Sequence, residues 1–350
     1  MFDPSDKSDG KINNLPFTLV NGITLEEVIW LKPHYFELII PNISFRTLKI
    51  IMNIKSLIVI LFVSNLTYAQ SAGNSGLSFL KFGFGARNIA MADAGTAASN
   101  DLTALYYNPA KLTMNDNSEI IIMHNEWIQD VRSEMLGVKS FVFGIPFAFG
   151  FNVTDINDIE IRTKPGEPES TFDANYFFSS ISTAFNLSDK ISAGITGKYL
   201  YEGLLSDEAT GFGLDLGVHY ITPIENLSAS AVIKNLGSMN ELRNEKTRLP
   251  SEFRIGGAYD FDLGENKFDV ISVLELQKYS DTDDIHLNIG AEVFYNKLIA
   301  LRVGYQTGYE SRGFTSGLGL RWGNLGFDYA FLPFSLGLGS ASLFSLQLKF

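Results

Sequence analysis

Residues 285–305 read IHLNIGAEVFYNKLIALRVGY, and their alternation decides the fold. Ile285, Leu287, Ile289, Ala291, Val293 and Tyr295 share one face, while His286, Asn288, Gly290 and Glu292 share the other. After Asn296-Lys297 the pattern resumes, with Ile299, Leu301, Val303 and Tyr305 opposing Ala300, Arg302, Gly304 and Gln306. Successive strand side chains point to opposite faces, so the stretch is two strands and a turn, each strand apolar on one side and polar on the other. Working outward, the same period holds at Phe212, Leu214, Leu216, Val218 and Tyr220, at Phe253, Ile255 and Tyr259, and at Leu325, Phe327, Tyr329 and Phe331. The last run places Phe344, Leu346, Leu348 and the terminal Phe350 opposite Ser345, Gln347 and Lys349.

The pattern predicts fourteen strands over 118–350, near 118–126, 133–144, 146–155, 175–187, 190–203, 210–222, 226–236, 250–261, 268–279, 285–296, 298–308, 313–322, 324–333 and 341–350. Many reach ten residues, which suits a tilted strand crossing a bilayer rather than a strand of a soluble sandwich. Short turns at 188–189, 223–226, 264–266, 296–297 and 323–324 alternate with longer polar links at 156–174, 204–209, 237–249, 280–284, 309–312 and 334–340. Outer-membrane barrels sort their connections in this way, with short periplasmic turns and longer outside loops. In hydrocarbon every backbone donor and acceptor must be paired, so the sheet must close on itself. The expected fold is an all-β, fourteen-stranded antiparallel transmembrane barrel, apolar toward lipid and polar toward the lumen. Trp127, Tyr201, Tyr220, Tyr279, Tyr295 and Trp322 lie near strand ends, where aromatic girdles belong.

Composition agrees. The 350 residues are 45% apolar and 19% charged, with mean hydropathy +0.08, 31 Gly, 28 Phe, 14 Tyr and no Cys. A disordered chain is more charged and less aromatic. A net charge of −12 argues against a nucleic-acid partner, which needs a basic face to neutralise phosphates. Without Cys there is no disulfide framework, thiolate nucleophile or Cys-type zinc site.

The segment MNIKSLIVILFVSNLTYAQ, 52–70, has the anatomy of a secretory signal: Lys55, a short apolar core, and small residues before Gln70. Its core is too short to span a bilayer. Residues 1–51 precede it and lack any periodicity, so they are expected to be an upstream extension, with translation starting at Met52 and export ending near Ala69. The mature chain then opens with a segment, 70–117, that lacks period two and is rich in Gly, Ala and Asn. It is too short for a domain, and fourteen strands enclose more space than wall side chains fill. The segment is expected to fold into the lumen as a plug, with a short helix between Phe84 and Ala98.

Within it stand Gly85-Ala86-Arg87, Ala90-Met91-Ala92-Asp93-Ala94-Gly95-Thr96-Ala97, Asp101 and Ala104-Leu105-Tyr106-Tyr107-Asn108-Pro109-Ala110. This run resembles the start of the PorV/PorQ family, which is similar to the FadL group of fourteen-stranded outer-membrane proteins. The specific motifs occupy 83–112; from about 73 to Phe350 the likeness is one of architecture. The resemblance implies a plug motif carried by Gly85, Arg87, Asp93, Gly95, Tyr107, Asn108 and Pro109. It also implies one of two roles. One is binding or shuttling of type IX secretion substrates at the cell surface of Bacteroidota, with secreted proteins or secretion-machinery components as partners beside outer-membrane lipid, and with the polar loops 156–174 and 237–249 as working surface. The other is passive transport of hydrophobic small molecules. The residues themselves read Asn108-Pro109 as a rigid turn from plug to first strand. Arg87 and Asp93 stand as a pair within the plug or as two solvated charges. Phe79, Phe82 and Phe84 stand as an apolar ligand contact or as plug anchors.

Catalysis finds no foothold. His34, His124, His219 and His286 are scattered, and no GxSxG or GxxxxGK[ST] motif occurs. Neither a cofactor nor a metal ligand set is expected. By the parity of their strands Lys198, Asp215, Arg254, Glu275, Glu292, Arg302, Arg321 and Asp328 face the lumen. Lys or Arg toward lipid at mid-depth costs roughly 2–4 kcal/mol, and the mixed signs predict ion pairs that brace the wall.

Overall fold

The structure, a computed structural model, describes residues 76–242, 245–263 and 267–350. The expected extension 1–51, the signal segment 52–69, the junction at Gln70 and the turn 264–266 lie outside the described residues. The strands are β1 (Glu119–Glu126), β2 (Val131–Val142), β3 (Ile145–Ile161), β4 (Ser170–Ser188), β5 (Ile191–Leu204), β6 (Asp207–Ile221), β7 (Leu227–Met239), β8 (Glu241–Leu242), β9 (Glu245–Lys246), β10 (Glu252–Phe261), β11 (Phe268–Tyr279), β12 (Ile285–Tyr295), β13 (Ile299–Gln306), β14 (Phe314–Trp322), β15 (Leu325–Pro333) and β16 (Ser340–Lys349). β8 and β9 pair only with each other, in the β7–β10 connection; the other fourteen form one closed antiparallel barrel. β1 closes the ring against β16 in the register Glu119↔Lys349 to Glu126↔Ser342.

The two faces differ as the alternation requires. Ile255, Leu274, Ile289, Leu301 and Leu318 are exposed on the outside of the wall. Their neighbours Arg254, Glu275, Asn288 and Arg302 are buried on the inside. This is the reverse of a soluble sandwich, and it fits a solvent of hydrocarbon. Among the described residues no helix is long and apolar enough to cross a membrane, which bears on helices alone.

Two boundaries and the placement of two aromatics depart from the sequence reading. The link 156–174 is mostly strand: β3 runs 17 residues and β4 19, and a register shift between Ile156 and Ile159 lets the pair continue. The alternation fades there because a hairpin beyond the membrane has water on both faces. The link 204–209 shrinks to a two-residue turn with Leu205 at φ 58. Trp127 and Tyr279 are buried rather than set in an outer girdle; Tyr279 has the parity of Glu275 and Gln277, so it points inward. Tyr220, Tyr295 and Trp322 are exposed.

The segment 76–114 carries a 3-10 turn at Ser78–Lys81, helix α1 at Ala86–Ala90, helix α2 at Ala104–Tyr107 and a 3-10 stretch at Pro109–Met114. Nearly all of it is buried. It begins at the long-loop end, where Gly76 N–H donates to Arg248 O. It leaves at the short-turn end, where Ser118 and Phe350 exchange backbone hydrogen bonds.

Candidate functional site

The buried strand face and the segment 76–114 meet through ion pairs. α1 is one turn and a half with Gly85 (φ 75) before it, and it turns Arg87 toward β12. Arg87 donates from Nε and Nη2 to the two carboxylate oxygens of Glu292, at 3.0 and 2.8 Å, a bidentate fit. Its third nitrogen reaches Ala98 O and Asn100 Oδ1. Glu292 also accepts from Arg302 Nε at 2.5 Å; Arg302 Nη1 donates to Asp328 Oδ1 at 2.8 Å, and Asp328 takes both Nη1 and Nη2 of Arg321 at 2.9 Å. Arg321 is the half-exposed end of this chain.

A second cluster surrounds Arg254. Its Nε donates to Glu252 Oε2 at 2.9 Å, and its Nη1 reaches Asp93 Oδ2 and Glu275 Oε1, each at 3.1 Å. Glu252 is also held by Lys234 at 2.8 Å and by Gln277 Nε2 at 2.6 Å. Lys234 Nζ lies 3.5 Å from the centroid of the Tyr106 ring. Asp93, at φ 61, accepts from Tyr107 Oη at 2.5 Å, and that hydroxyl in turn accepts from Phe84 N–H. Glu275 accepts from Thr96 N–H at 2.8 Å. So Arg87 and Asp93 do not pair with each other, nor are they solvated: each pairs with the wall. Burial of a charge is costly unless it is paired and hydrogen-bonded, and the wall supplies the partners. Burial and the Asp93 carboxylate together push the Tyr107 phenol well above its ordinary range, so it stays a donor.

Lys198 pairs with Asp215 at 2.7 Å and donates to Asn235 Oδ1 at 2.8 Å. Asn108 caps the turn before β1, its Oδ1 accepting from Ala110 N–H and its Nδ2 donating to Val218 O on β6. Pro109 follows at the first position of the 3-10 stretch. Gly95 lies against the Tyr107 ring, which a Cβ would strike at 2.4 Å. Opposite sides of the wall approach the segment backbone closely: a Cβ on Gly304 would lie 2.3 Å from Ala92 N, and one on Gly194 2.3 Å from Ala110 N.

Toward the long loops the contacts turn aromatic. Phe79 stacks on Tyr176 at 5.3 Å, Phe82 on Trp127 at 4.7 Å, and Phe84 packs on Tyr106 at 4.1 Å and Phe178 at 5.6 Å. Phe79 and Phe84 are buried, whereas Phe82, Tyr176, Ile156, Leu242 and Phe334 are only partly covered. Arg312 sits 5.1 Å from the Trp127 and Tyr309 rings.

Sequence reasoning left out Lys234, Gln277 and Glu119, and named Asp101 and Gln347 without bringing them together. Leu102 N–H donates to Glu119 Oε2 at 2.7 Å and Gln347 Nε2 to Asp101 Oδ2 at 3.1 Å. Burial raises the Asp101 carboxyl, but Arg87, Thr103 and Gln347 outweigh it and hold the group below its usual range. The signal was the same parity that marks the other polar wall residues. His219 bonds Ser230 and His286 stacks on Tyr309 at 3.8 Å. Among the described residues no set of three His, Asp or Glu is placed to hold a metal.

A family model described as type IX secretion system protein PorV matches residues 67–280, more than half of the chain. Among solved structures, the toluene transporter TodX of Pseudomonas putida superposes with a TM-score of 0.54 at 14% identity, over 76% of this chain and 97% of that one. The monoaromatic hydrocarbon channel CymD gives 0.52 at 14% identity, over 79% and 97%. At such identity these likenesses are of fold. No curated protein matches the sequence.

Proposed function

Because the chain belongs to the PorV family, a group of outer-membrane β-barrels, we propose that residues 76–114 plug the lumen and that the barrel passes a small hydrophobic molecule along the aromatic contacts at the long-loop end. The observation that carries this reading is the placement of Phe79, Phe82 and Phe84. Phe79 and Phe84 meet Tyr176 and Phe178 of β4, Phe82 meets Trp127 in the β1–β2 turn, Phe84 also packs on Tyr106 of its own segment, and the outer members are partly uncovered. An apolar solute entering there replaces ring contacts with ring contacts, passing the buried Glu202 opposite Tyr176 and reaching Lys234 under Tyr106. The names of TodX and CymD, a transporter and a channel for aromatic hydrocarbons, support it. The test is uptake of radiolabelled toluene by cells lacking their own aromatic channel. Expression of the chain raises uptake, and Phe82→Ala changes the rate; uptake equal to that of empty cells sinks the reading.

A second reading, docking of type IX secretion substrates at the surface, has its own support. The family description names that system, and the long β3–β4 hairpin carries a polar arm beyond the other strands. Deleting the gene in its host and profiling secreted proteins tests it. Loss of secreted or surface-attached proteins is expected; an unchanged secretome removes this reading.

A further inference from the structure

The wall has a fork at the long-loop end between β7 and β10. β7 pairs with β10 only from Leu227↔Tyr259 to Glu252↔Lys234, yet it stays paired with β6 as far as Met239↔Gly211. Among the described residues, 235–239 therefore have a neighbour strand on one side only. The fork is pinned at Asn235, whose backbone turns to φ 57. Its Nδ2 donates to Pro250 O at 3.0 Å and its own carbonyl accepts from Ser251 Oγ at 2.8 Å. Farther out, Asn240 N–H donates to Thr210 O at 2.7 Å. Backbone groups of an antiparallel strand alternate sides, so those of Met239 and Gly237 point away from β6 into the fork.

Across the fork stand Lys246, Thr247, Arg248 and Leu249. Between them and Gly237, Ser238 and Met239 lies a cavity of about 570 Å³. Met239 and Leu249 are buried and give it an apolar floor, while Lys246 and Arg248 are exposed. Among the described residues that line it there is no carboxylate; behind the lining, Glu202 accepts from Thr247 Oγ1 at 3.0 Å. Glu241 stands opposite Lys246 in the small β8–β9 ladder, so Arg248 is the less compensated charge. An open strand edge is a template for another strand, and a cationic border selects what pairs with it.

We propose that this fork is a docking site for an extended peptide with acidic side chains, bound as an added strand. The peptide main chain pairs with Gly237 and Met239, one set of alternate side chains rests on Met239 and Leu249, and its carboxylates meet Arg248 and Lys246. The site lies on the rim and is independent of what crosses the lumen.

The test uses the purified full-length barrel in detergent and fluorescein-labelled octapeptides, followed by anisotropy. The probes alternate valine with glutamate, or valine with lysine, and the glutamate peptide is also made with alternate amides N-methylated in each of the two frames. The glutamate peptide binds; affinity falls at least tenfold with the variant Lys246→Glu/Arg248→Glu, and methylation in one frame abolishes binding. Both substituted residues are exposed, and retention of the heat-dependent gel shift of a closed barrel checks the fold. The proposal is overturned if the glutamate peptide does not bind, if the lysine peptide binds equally, if the double variant binds undiminished, or if both methylated probes bind as well as the parent.

Discussion

Tyr107 ties the Arg254 cluster to the backbone of the segment 76–114, since its hydroxyl donates to Asp93 and accepts from Phe84 N–H. Tyr107→Phe keeps the ring and removes both bonds. A buried polar group left without its partner costs about 1–3 kcal/mol, so urea unfolding in detergent is expected to shift to lower concentration by that amount, with the slope unchanged. Lys111 gives a pH signature. Burial first, and the Arg87 charge second, push its ammonium from 10.5 down to about 8. A pKa lowered on folding means that the unfolded chain binds more protons between these values, so stability rises as pH goes from about 8 to 10.5 and is lost on the way back down. Unfolding midpoints over that range are expected to climb for the native chain and to be flatter for Lys111→Met.

Among the elements, the wall shows its sidedness most directly. Leu301 faces outward and is 57% exposed, whereas Arg302 beside it is 3% exposed and paired with Glu292 and Asp328. Leu301→Arg in lipid vesicles is expected to cost about 2–4 kcal/mol if the position lies at mid-depth, while Leu301→Phe is close to neutral; equal losses for both would place this strand face out of lipid. Fourteen strands were legible because a membrane wall enforces period two on both faces at once. The β3–β4 arm was not legible, because beyond the bilayer neither face is selected for polarity. The partners of Arg87 and Asp93 were also hidden. Glu292 and Arg254 lie more than 150 positions away, and no spacing rule links a turn in the first segment to a strand in the middle of the chain. Replacing residues 159–171 with Asn-Gly is expected to leave barrel closure intact, read by the heat-dependent gel shift, since the ladder below Ile156 already pairs fully.

At the scale of the whole molecule, the segment 76–114 and the wall neutralise each other. Arg87 meets Glu292, and Asp93 meets Arg254. A chain lacking residues 76–114 keeps a closed ladder but exposes Glu292, Glu275, Arg254 and Arg302 to a vacated lumen. Such a barrel is expected to conduct ions in a planar bilayer, with a conductance well above that of the intact chain; equal conductance would mean that the segment does not obstruct the lumen.

The path of that segment also constrains the order of assembly. Its two ends lie at opposite rims, at Gly76 beside Arg248 and at Ser118 beside Phe350. The strands that seal the ring, β1 and β16, are the first and last of the wall. A thread that traverses a ring from mouth to mouth cannot be laid in sideways once the ring is shut. With the segment in the lumen as proposed, seating it before closure needs only that the wall curl around it against Gly304 and Gly194, whereas seating it after the β1–β16 seam has closed requires that it be drawn through lengthwise.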